Sequence, residues 1–443
     1  MGLMEALIFL CKGQFWRMAV FWTVSLILSY LQLFSQTHLS RKSKLFDRCS
    51  SISSSAIRKP ICIITGSYLI LVVGKSDGLS SNGDIKLPCQ SPVIDEIVGS
   101  SQADVFDTLK SATLRLWIKF NSKTSTTTVL ALLDRVTWYL LPVQATSGLG
   151  AAVSYALAKE GYCVILAGRS LHSLSKVASE IKEQIDDACV KAFQVDLSSY
   201  KSILSFKHSL QQWLLDSDLH CSVQLLINNA GILATSYRVT TEQCDQMVST
   251  NYIGPFCLTK LLLPLLEQSP IPSRVVNVTS FTHRNVSSME VTRETISGQW
   301  FSKLSSYPYA HVYEYSKLCL LLFTYELHRQ VGLAEKSHSV SVIAADPGVV
   351  KTNIMREIPS CLSWLAFFVL KLLGLLQSPE VGITSVLDAV HAPPETSGVY
   401  FFGGNGRTLR SSQLSYNSKL AKDLWDASSQ IFLERQLASR DTT

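Results

Sequence analysis

Hydrophobic positions fall into three stretches of different character. Residues 18–34 (MAVFWTVSLILSYLQLF) run without a charge, with Lys12 and Arg17 before them and Arg41, Lys42 and Lys44 after. These 17 residues sit at the lower edge of a membrane-spanning helix, which needs roughly 17–25. Basic residues on the C-terminal flank would keep the rest of the chain on the cytoplasmic side. The pattern predicts a membrane anchor. A cleaved targeting segment is the alternative, because residues 35–58 are Ser-rich, basic and nearly free of acids.

A strand candidate at 61–65 (ICIIT) ends in Gly66, and residues 67–144 then show no sustained period. They hold an apolar run at 68–73, a Gly/Ser/Asp-rich stretch and TSTTT at 124–128. After 145 a regular alternation begins. Short apolar runs at 163–167, 192–195, 224–227, 274–278, 341–344 and 399–402 read as strands, and stretches such as 151–160, 171–185 and 313–330 as helices. Buried strands alternating with helices predict an α/β fold, a parallel sheet covered on both faces.

Composition changes this picture little. Charged residues make up 17% of the chain, below the usual quarter, which leans toward membrane contact. A net charge of +6 suits an anionic cofactor or a lipid surface and is too weak to argue for nucleic acid. The 11 cysteines show no C-x-x-C pair or regular spacing, so they read as buried, unpaired thiols in a reducing compartment, with no disulfide frame and no metal site.

Candidate chemistry begins at Thr146-Ser147-Gly148-Leu149-Gly150, which opens the helix near Ala151. Glycines there let the backbone approach a pyrophosphate held by the helix N-terminus. Read together with Thr65-Gly66, the pieces form T-G-A-T-S-G-L-G. The strand CVILAG ends in Gly168-Arg169, where an NAD site would carry an acid for the ribose hydroxyl; a cation suits a 2′-phosphate. Further along stand Val195-Asp196-Leu197, Asn228-Asn229-Ala230-Gly231, Asn251-Tyr-Ile-Gly254, Val276-Asn-Val-Thr-Ser280, Tyr313-x-x-x-Lys317 and Asp346-Pro347-Gly348-Val-Val-Lys-Thr352. A second Y-x-x-x-K, Tyr155 and Lys159, lies beside no Ser-bearing strand and reads as structural.

In order and approximate spacing this set resembles the short-chain dehydrogenase/reductase superfamily, over 60–66 and 145 to about 432. LLFTYEL, DPGVVKTNI and SYNSKLAKDLWDASS resemble its retinol-dehydrogenase-like branch. The 33 residues from Ser280 to Tyr313 exceed the usual separation, so Ser280 rests on its strand-end motif. The resemblance implies a Rossmann-type doubly wound domain that interconverts an alcohol and a carbonyl with NADP(H), NAD(H) being less favoured. It implies a catalytic set of Asn251, Ser280, Tyr313 and Lys317. It implies cofactor contacts from Thr65, Gly66, Ser147, Gly148, Leu149, Gly150, Arg169, Asp196, Leu197, Asn228, Ala230, Gly231, Pro347, Gly348 and Thr352, besides Tyr313 and Lys317.

The chemistry needs those types. A tyrosine of ordinary pKa about 10 is protonated at neutral pH. Lys317 lies one helical turn on, and its charge is expected to favour tyrosinate, so that Tyr313 exchanges a proton with substrate. Ser280 would hydrogen-bond the reacting oxygen as negative charge builds. By resemblance, Asn251 positions a relay water and Asp196 contacts adenine.

Between Ser360 and Leu376 only Lys371 interrupts an apolar run, either a buried helix or a lid facing lipid. Anchor and lid together point to an apolar alcohol or aldehyde and to a membrane partner, without naming either. The resemblance implies a retinoid, polyprenoid or steroid-like substrate and the endoplasmic reticulum with the catalytic part facing the cytosol, an organelle reached through the N-terminal segment being the alternative. Nothing decides between a monomer and a homo-oligomer.

The departure from the family is the 78 residues 67–144, which separate Gly66 from Ala145. The alternative first strand, 139–144, would bury Pro142 in a central parallel strand and place Gln144 where glycine is wanted. The chain therefore reads as an anchor and linker (1–56), a domain (57–66 with 145–432), an irregular insertion (67–144) and a tail (433–443). An insertion at the cofactor turn suggests retained intron sequence or a mis-joined gene model, and it raises a second reading: an impaired protein that senses cofactor or binds a partner without turnover.

Overall fold

The computed structural model describes residues 6, 9–39, 59–66, 148–217, 219–333 and 340–440; the insertion, with Ala145, Thr146 and Ser147, lies outside the described residues. Seven strands pair in parallel: β1 (Ile61–Thr65), β2 (Cys163–Gly168), β3 (Val190–Gln194), β4 (Leu225–Asn228), β5 (Ser273–Val278), β6 (Val340–Asp346) and β9 (Val399–Phe402). Their order across the sheet is β3-β2-β1-β4-β5-β6-β9, and β7 (Val349–Val350) with β8 (Leu376–Gln377) forms a separate two-stranded ladder.

ICIIT is an interior strand, with Ile63 opposite Ile165 on one side and Leu226 on the other. All five of its residues are buried because both sheet faces are covered. Ile61 and Ile63 enter one core, Cys62 and Ile64 the other. The strand order reverses between β1 and β4, and in such sheets the crevice at the strands' carboxyl ends is where ligands bind.

Local signals explain the flanking helices. Leu171–Gln184 starts at Ser170, whose hydroxyl accepts from the Ser173 amide, and buries Leu174, Val177, Ala178 and Ile181 along one stripe. Tyr309–Leu333 is different: it is buried on nearly every side, between β6, the Phe281–Asn285 turn and the Ser418–Arg440 helix. That last helix runs beyond residue 432, into the stretch read as a tail. Arg435 pairs with Glu242 at 3.0 Å and Glu434 with Arg293 at 2.7 Å.

The expectation of unpaired thiols is corrected at one place. Cys163 and Cys189 are disulfide-bonded, their Cα atoms 4.5 Å apart. The β2–β3 register sets Val164 beside Val190, so the residues just before them meet as well. A separation of 26 residues does not reveal that neighbourhood. Cys62, Cys244, Cys257 and Cys319 are free and buried, whereas Cys11, Cys221 and Cys361 are free and exposed, against the expectation of burial.

Arg274 on β5 is buried and ties the sheet to the C-terminal end of the Thr384–His391 helix. Its Nη1 faces the carbonyls of Ala389, Val390 and Ala392 at 2.7–2.8 Å, and Nη2 donates to Pro393 O at 2.8 Å. Its Nε donates to Ser341 Oγ at 2.7 Å. Arg274→Leu leaves these carbonyls without their donor and is expected to cost about 3–5 kcal/mol. Chemical denaturation of the full chain measures this; a loss below about 1 kcal/mol would mean the carbonyls find other donors.

Candidate active site

The turns after β1 and β4 are stitched together. Thr65 Oγ1 accepts from the Asn229 and Ala230 amides at 3.1 and 3.2 Å, and Asn229 Nδ2 donates to Thr65 O at 2.9 Å. Gly66 follows at φ +79°, and a Cβ there would stand 2.6 Å from Ala230 Cα. Only glycine fits so close an approach. Gly148, at φ 131°, precedes the Leu149–Lys159 helix, whose first amides have no partner within the helix. Gly66, Gly148, Leu149 and Gly150 all line one cavity of about 470 Å³. The described parts of the split glycine turn therefore converge, in a cradle that a Cβ would fill and that fits a dinucleotide phosphate.

Ser280 sits at the end of β5, where its hydroxyl accepts from Thr282 Oγ1 at 3.1 Å. Buried His283 fixes the Ser280 backbone, with Nδ1 2.5 Å from Ser280 O, while its Nε2 accepts from the Ser412 amide. The ring therefore carries its hydrogen on Nδ1. Burial and the adjacent Arg284 push its pKa down to about 3, so it stays neutral.

Tyr313 and Lys317 share a face of the Tyr309–Leu333 helix, with Lys317 Nζ 5.8 Å from the Tyr313 ring centre. Lys317 donates to Val278 O at 3.0 Å. Asn251 lies in a widened π turn, Ser249–Ile253. Its Oδ1 accepts from the Ile232 amide at 2.8 Å, and its Nδ2 donates to Ile232 O and Ser316 Oγ, both at 3.0 Å. Gly231 separates the two groups: a Cβ there would meet Lys317 Nζ at 3.3 Å and Asn251 Oδ1 at 3.7 Å.

Burial dominates the electrostatics. It pushes the Tyr313 phenol above its ordinary value and the Asp346 carboxylate adds to this; a hydrogen bond with Ser280 works the other way. Burial also lowers the pKa of Lys317 to about 8, against the opposing pull of Asp346. Asp346 is itself pushed up by burial, with Tyr400 Oη and the Gly348 amide donating to it at 2.5 and 2.8 Å.

Of the residues expected from sequence, Gly66, Gly148, Leu149, Gly150, Gly231, Ser280, Tyr313, Lys317, Pro347, Gly348 and Thr352 line this cavity. Thr65, Asn228, Ala230 and Asn251 lie in the layer behind them. Asn228 is committed to the fold: its Nδ2 donates to Thr259 Oγ1 and Asn277 Oδ1 at 3.0 and 2.8 Å, and Asn277 donates on to Thr324 Oγ1 at 2.9 Å. Its neighbour Asn229 faces the cavity instead. Arg169, Asp196 and Leu197 follow the ends of β2 and β3, outside the lining, with Arg169 half-buried. Ser147 lies outside the described residues. Tyr155 and Lys159 are on the exposed side of their helix.

Two helices close the cavity. Ser360–Leu372 is not a buried helix: only Leu362 within it is fully buried, Leu365, Ala366, Phe367 and Leu370 face the cavity, and Trp364 and Leu372 face outward. Glu357 tethers its approach, with both carboxylate oxygens held by Arg238 at 2.8 Å and the Thr235 amide donating at 3.0 Å. The other wall is the N-terminal helix, Gly13–Trp16, a π turn Arg17–Trp22 and Thr23–Leu39, which contributes Met18, Ala19, Trp22 and Leu26. Sequence reasoning missed this wall because apolar periodicity does not distinguish a face turned to lipid from one turned to protein.

A family model described as short chain dehydrogenase matches residues 141–291. Human polyprenol dehydrogenase is 35% identical over 295 residues, 65% of this chain and 82% of that protein. The chloroplastic short-chain dehydrogenase TIC 32 A of Brassica napus is 30% identical over 291 residues, 64% of this chain and 85% of that protein. Mouse retinol dehydrogenase 12 is 31% identical over 290 residues, 65% of this chain and 84% of that protein.

Gly66→Ala is expected to force β1 and the Ala230 turn apart, costing about 2–4 kcal/mol and removing nicotinamide-nucleotide binding. Denaturation and fluorescence titration of the full chain check this; unchanged binding would show that the cradle is not the phosphate site.

Proposed function

This chain belongs to the short-chain dehydrogenase family, in its retinol-dehydrogenase-like branch, and on that premise we propose that it interconverts a hydrophobic alcohol and its aldehyde or ketone using NADP(H). One observation carries the reading: Ser280, Tyr313 and Lys317 stand on the wall of a largely apolar cavity closed by two apolar helices. A cavity of that kind takes a lipid-like substrate and orients it through a few polar groups. The names of the relatives, polyprenol and retinol dehydrogenase, favour a polyprenoid or retinoid over a steroid-like compound.

Gly66 and Gly148–Gly150 would hold the cofactor's pyrophosphate at the helix start, and Arg169 its 2′-phosphate. When bound, the nicotinamide supplies or accepts the hydride. Tyr313 gives its phenolic proton to the carbonyl oxygen, or takes it from the alcohol. Ser280 donates to the same oxygen as charge builds there. Lys317 holds the ribose and supplies positive charge beside the phenol, while Asn251, linked to Ser316 and Ile232, orders the groups behind them. The convergence of Gly66 with Gly148–Gly150 favours this enzymatic reading over a cofactor sensor that does no chemistry. The apolar outer sides of both helices support membrane association, proposed at the endoplasmic reticulum with the catalytic unit on the cytosolic side.

Tyr313→Phe is expected to lower kcat for NADPH-dependent reduction of a polyprenyl or retinoid aldehyde by about 10²-fold or more, with NADPH binding kept. A variant that retains turnover refutes the enzymatic assignment. Arg169→Leu should weaken NADPH binding about 10- to 100-fold and leave NADH unchanged; equal losses for both would remove Arg169 from the phosphate site. The pH profile follows from the phenol's upward shift. A protonated Tyr313 is ready as an acid, so kcat/KM for reduction should be flat through neutral pH and fall above about 8 as Lys317 loses its charge. Alcohol oxidation needs phenolate, whose population grows about tenfold per pH unit below the pKa, so its kcat/KM should climb toward about pH 8. A flat oxidation profile across that range would show that Tyr313 is not the base.

A further inference from the structure

The N-terminal helix carries two faces of opposite character. Outward, Trp16, Val20, Phe21, Val24, Leu28, Leu31 and Phe34 are exposed. Inward, its polar side chains are engaged by the catalytic unit. Arg17 Nε donates to both oxygens of Glu314 at 3.1 and 2.9 Å, and Nη2 to Oε2 at 2.6 Å. Trp22 Nε1 donates to Glu314 Oε1 at 2.7 Å, Ser25 hydrogen-bonds Asn285, and Tyr30 accepts from Gln377 at 2.5 Å.

Glu314 makes this arrangement informative. It follows Tyr313 directly on the same helix, and its side chain is completely buried. A buried carboxylate needs a matched cation and hydrogen bonds. Within the catalytic unit it meets Asn285 at 3.4 Å and His311 at 3.5 Å. The bidentate partner comes from the N-terminal helix. The same pairing sets the Trp22 ring 5.3 Å from the Tyr313 ring, on the cavity wall. Farther along, Leu26 and Leu33 are buried in a cluster with Phe281, Leu321 and Phe402.

We propose that the Arg17–Glu314 ion pair is a positioning device that clamps the N-terminal helix along the catalytic unit, making that helix the roof of the substrate cavity with its outer face in the lipid leaflet. The proposal rests on the oxidoreductase reading. A helix so held lies along the membrane surface, its inner polar stripe satisfied by protein. Its Trp22 closes the cavity over the phenol, where a long apolar substrate must pass.

The test uses the full chain on phosphatidylcholine–phosphatidylserine vesicles, with a long polyprenyl aldehyde and a short water-soluble aldehyde as substrates. Arg17→Met should raise KM for the long aldehyde about tenfold or more while kcat holds, the mark of lost uniform binding. The short aldehyde's kinetics and sedimentation with vesicles should be unchanged, and Arg17→Lys, which keeps the charge without the fork, should fall between. Independently, the Ser25→Cys/Asn285→Cys pair should cross-link on vesicles with activity retained. Absence of the cross-link, or an unchanged KM for the long aldehyde with Arg17→Met, overturns the clamp. If the wild-type chain turns over neither aldehyde, the oxidoreductase reading fails, while the cross-link still reports whether the helix is docked.

Discussion

The burial of the Tyr309–Leu333 helix constrains Tyr313 and Lys317, the proposed proton-transfer pair. Most of its side chains have no solvent to turn to, and the buried polar ones around Tyr313 are met by specific partners. Lys317 is answered by the Val278 carbonyl and the charge of Asp346, Ser316 by Asn251, and Glu314 by Arg17 and Trp22. A rigid rod with fixed partners places the phenol of Tyr313 reproducibly against Ser280. Burial also determines its protonation, since removing water costs phenolate more than phenol.

The sheet provides the complementary constraint. Parallel strands present their carboxyl ends on one edge, and the reversal of order between β1 and β4 opens that edge. Thr65, Gly66 and the Asn229–Ala230 turn are bonded there into a single unit, in which the side chains of Thr65 and Asn229 hold the main chain of the two turns together. The Asn228–Asn277–Thr324 ladder beneath joins β4, β5 and the Tyr309–Leu333 helix. Shifting any of these three elements would unsatisfy a buried amide.

Much of this was legible from residue order. Alternating apolar runs located the strands, because covering both faces of a parallel sheet demands continuous hydrophobicity, and Pro142 argued against the competing first strand. Motifs marked Gly66, Ser280, Tyr313 and Lys317, which meet at one cavity. What stayed hidden depends on pairing across long separations. Nothing near Arg17 announces Glu314, 297 positions away. Nothing near Cys163 announces Cys189, since their meeting follows from strand register. The downward shift of Lys317 depends on how deeply the helix is packed, which spacing alone does not encode.

Trp16 and Phe21 on one of the two closing helices, and Trp364 and Leu372 on the other, are exposed apolar side chains. If the proposed membrane association holds, a reactant would reach the cavity from among neighbouring lipids and not as a dilute solute. Saturation would then follow its surface density, and diluting the leaflet with inert phospholipid would slow the reaction even with the total amount of reactant fixed.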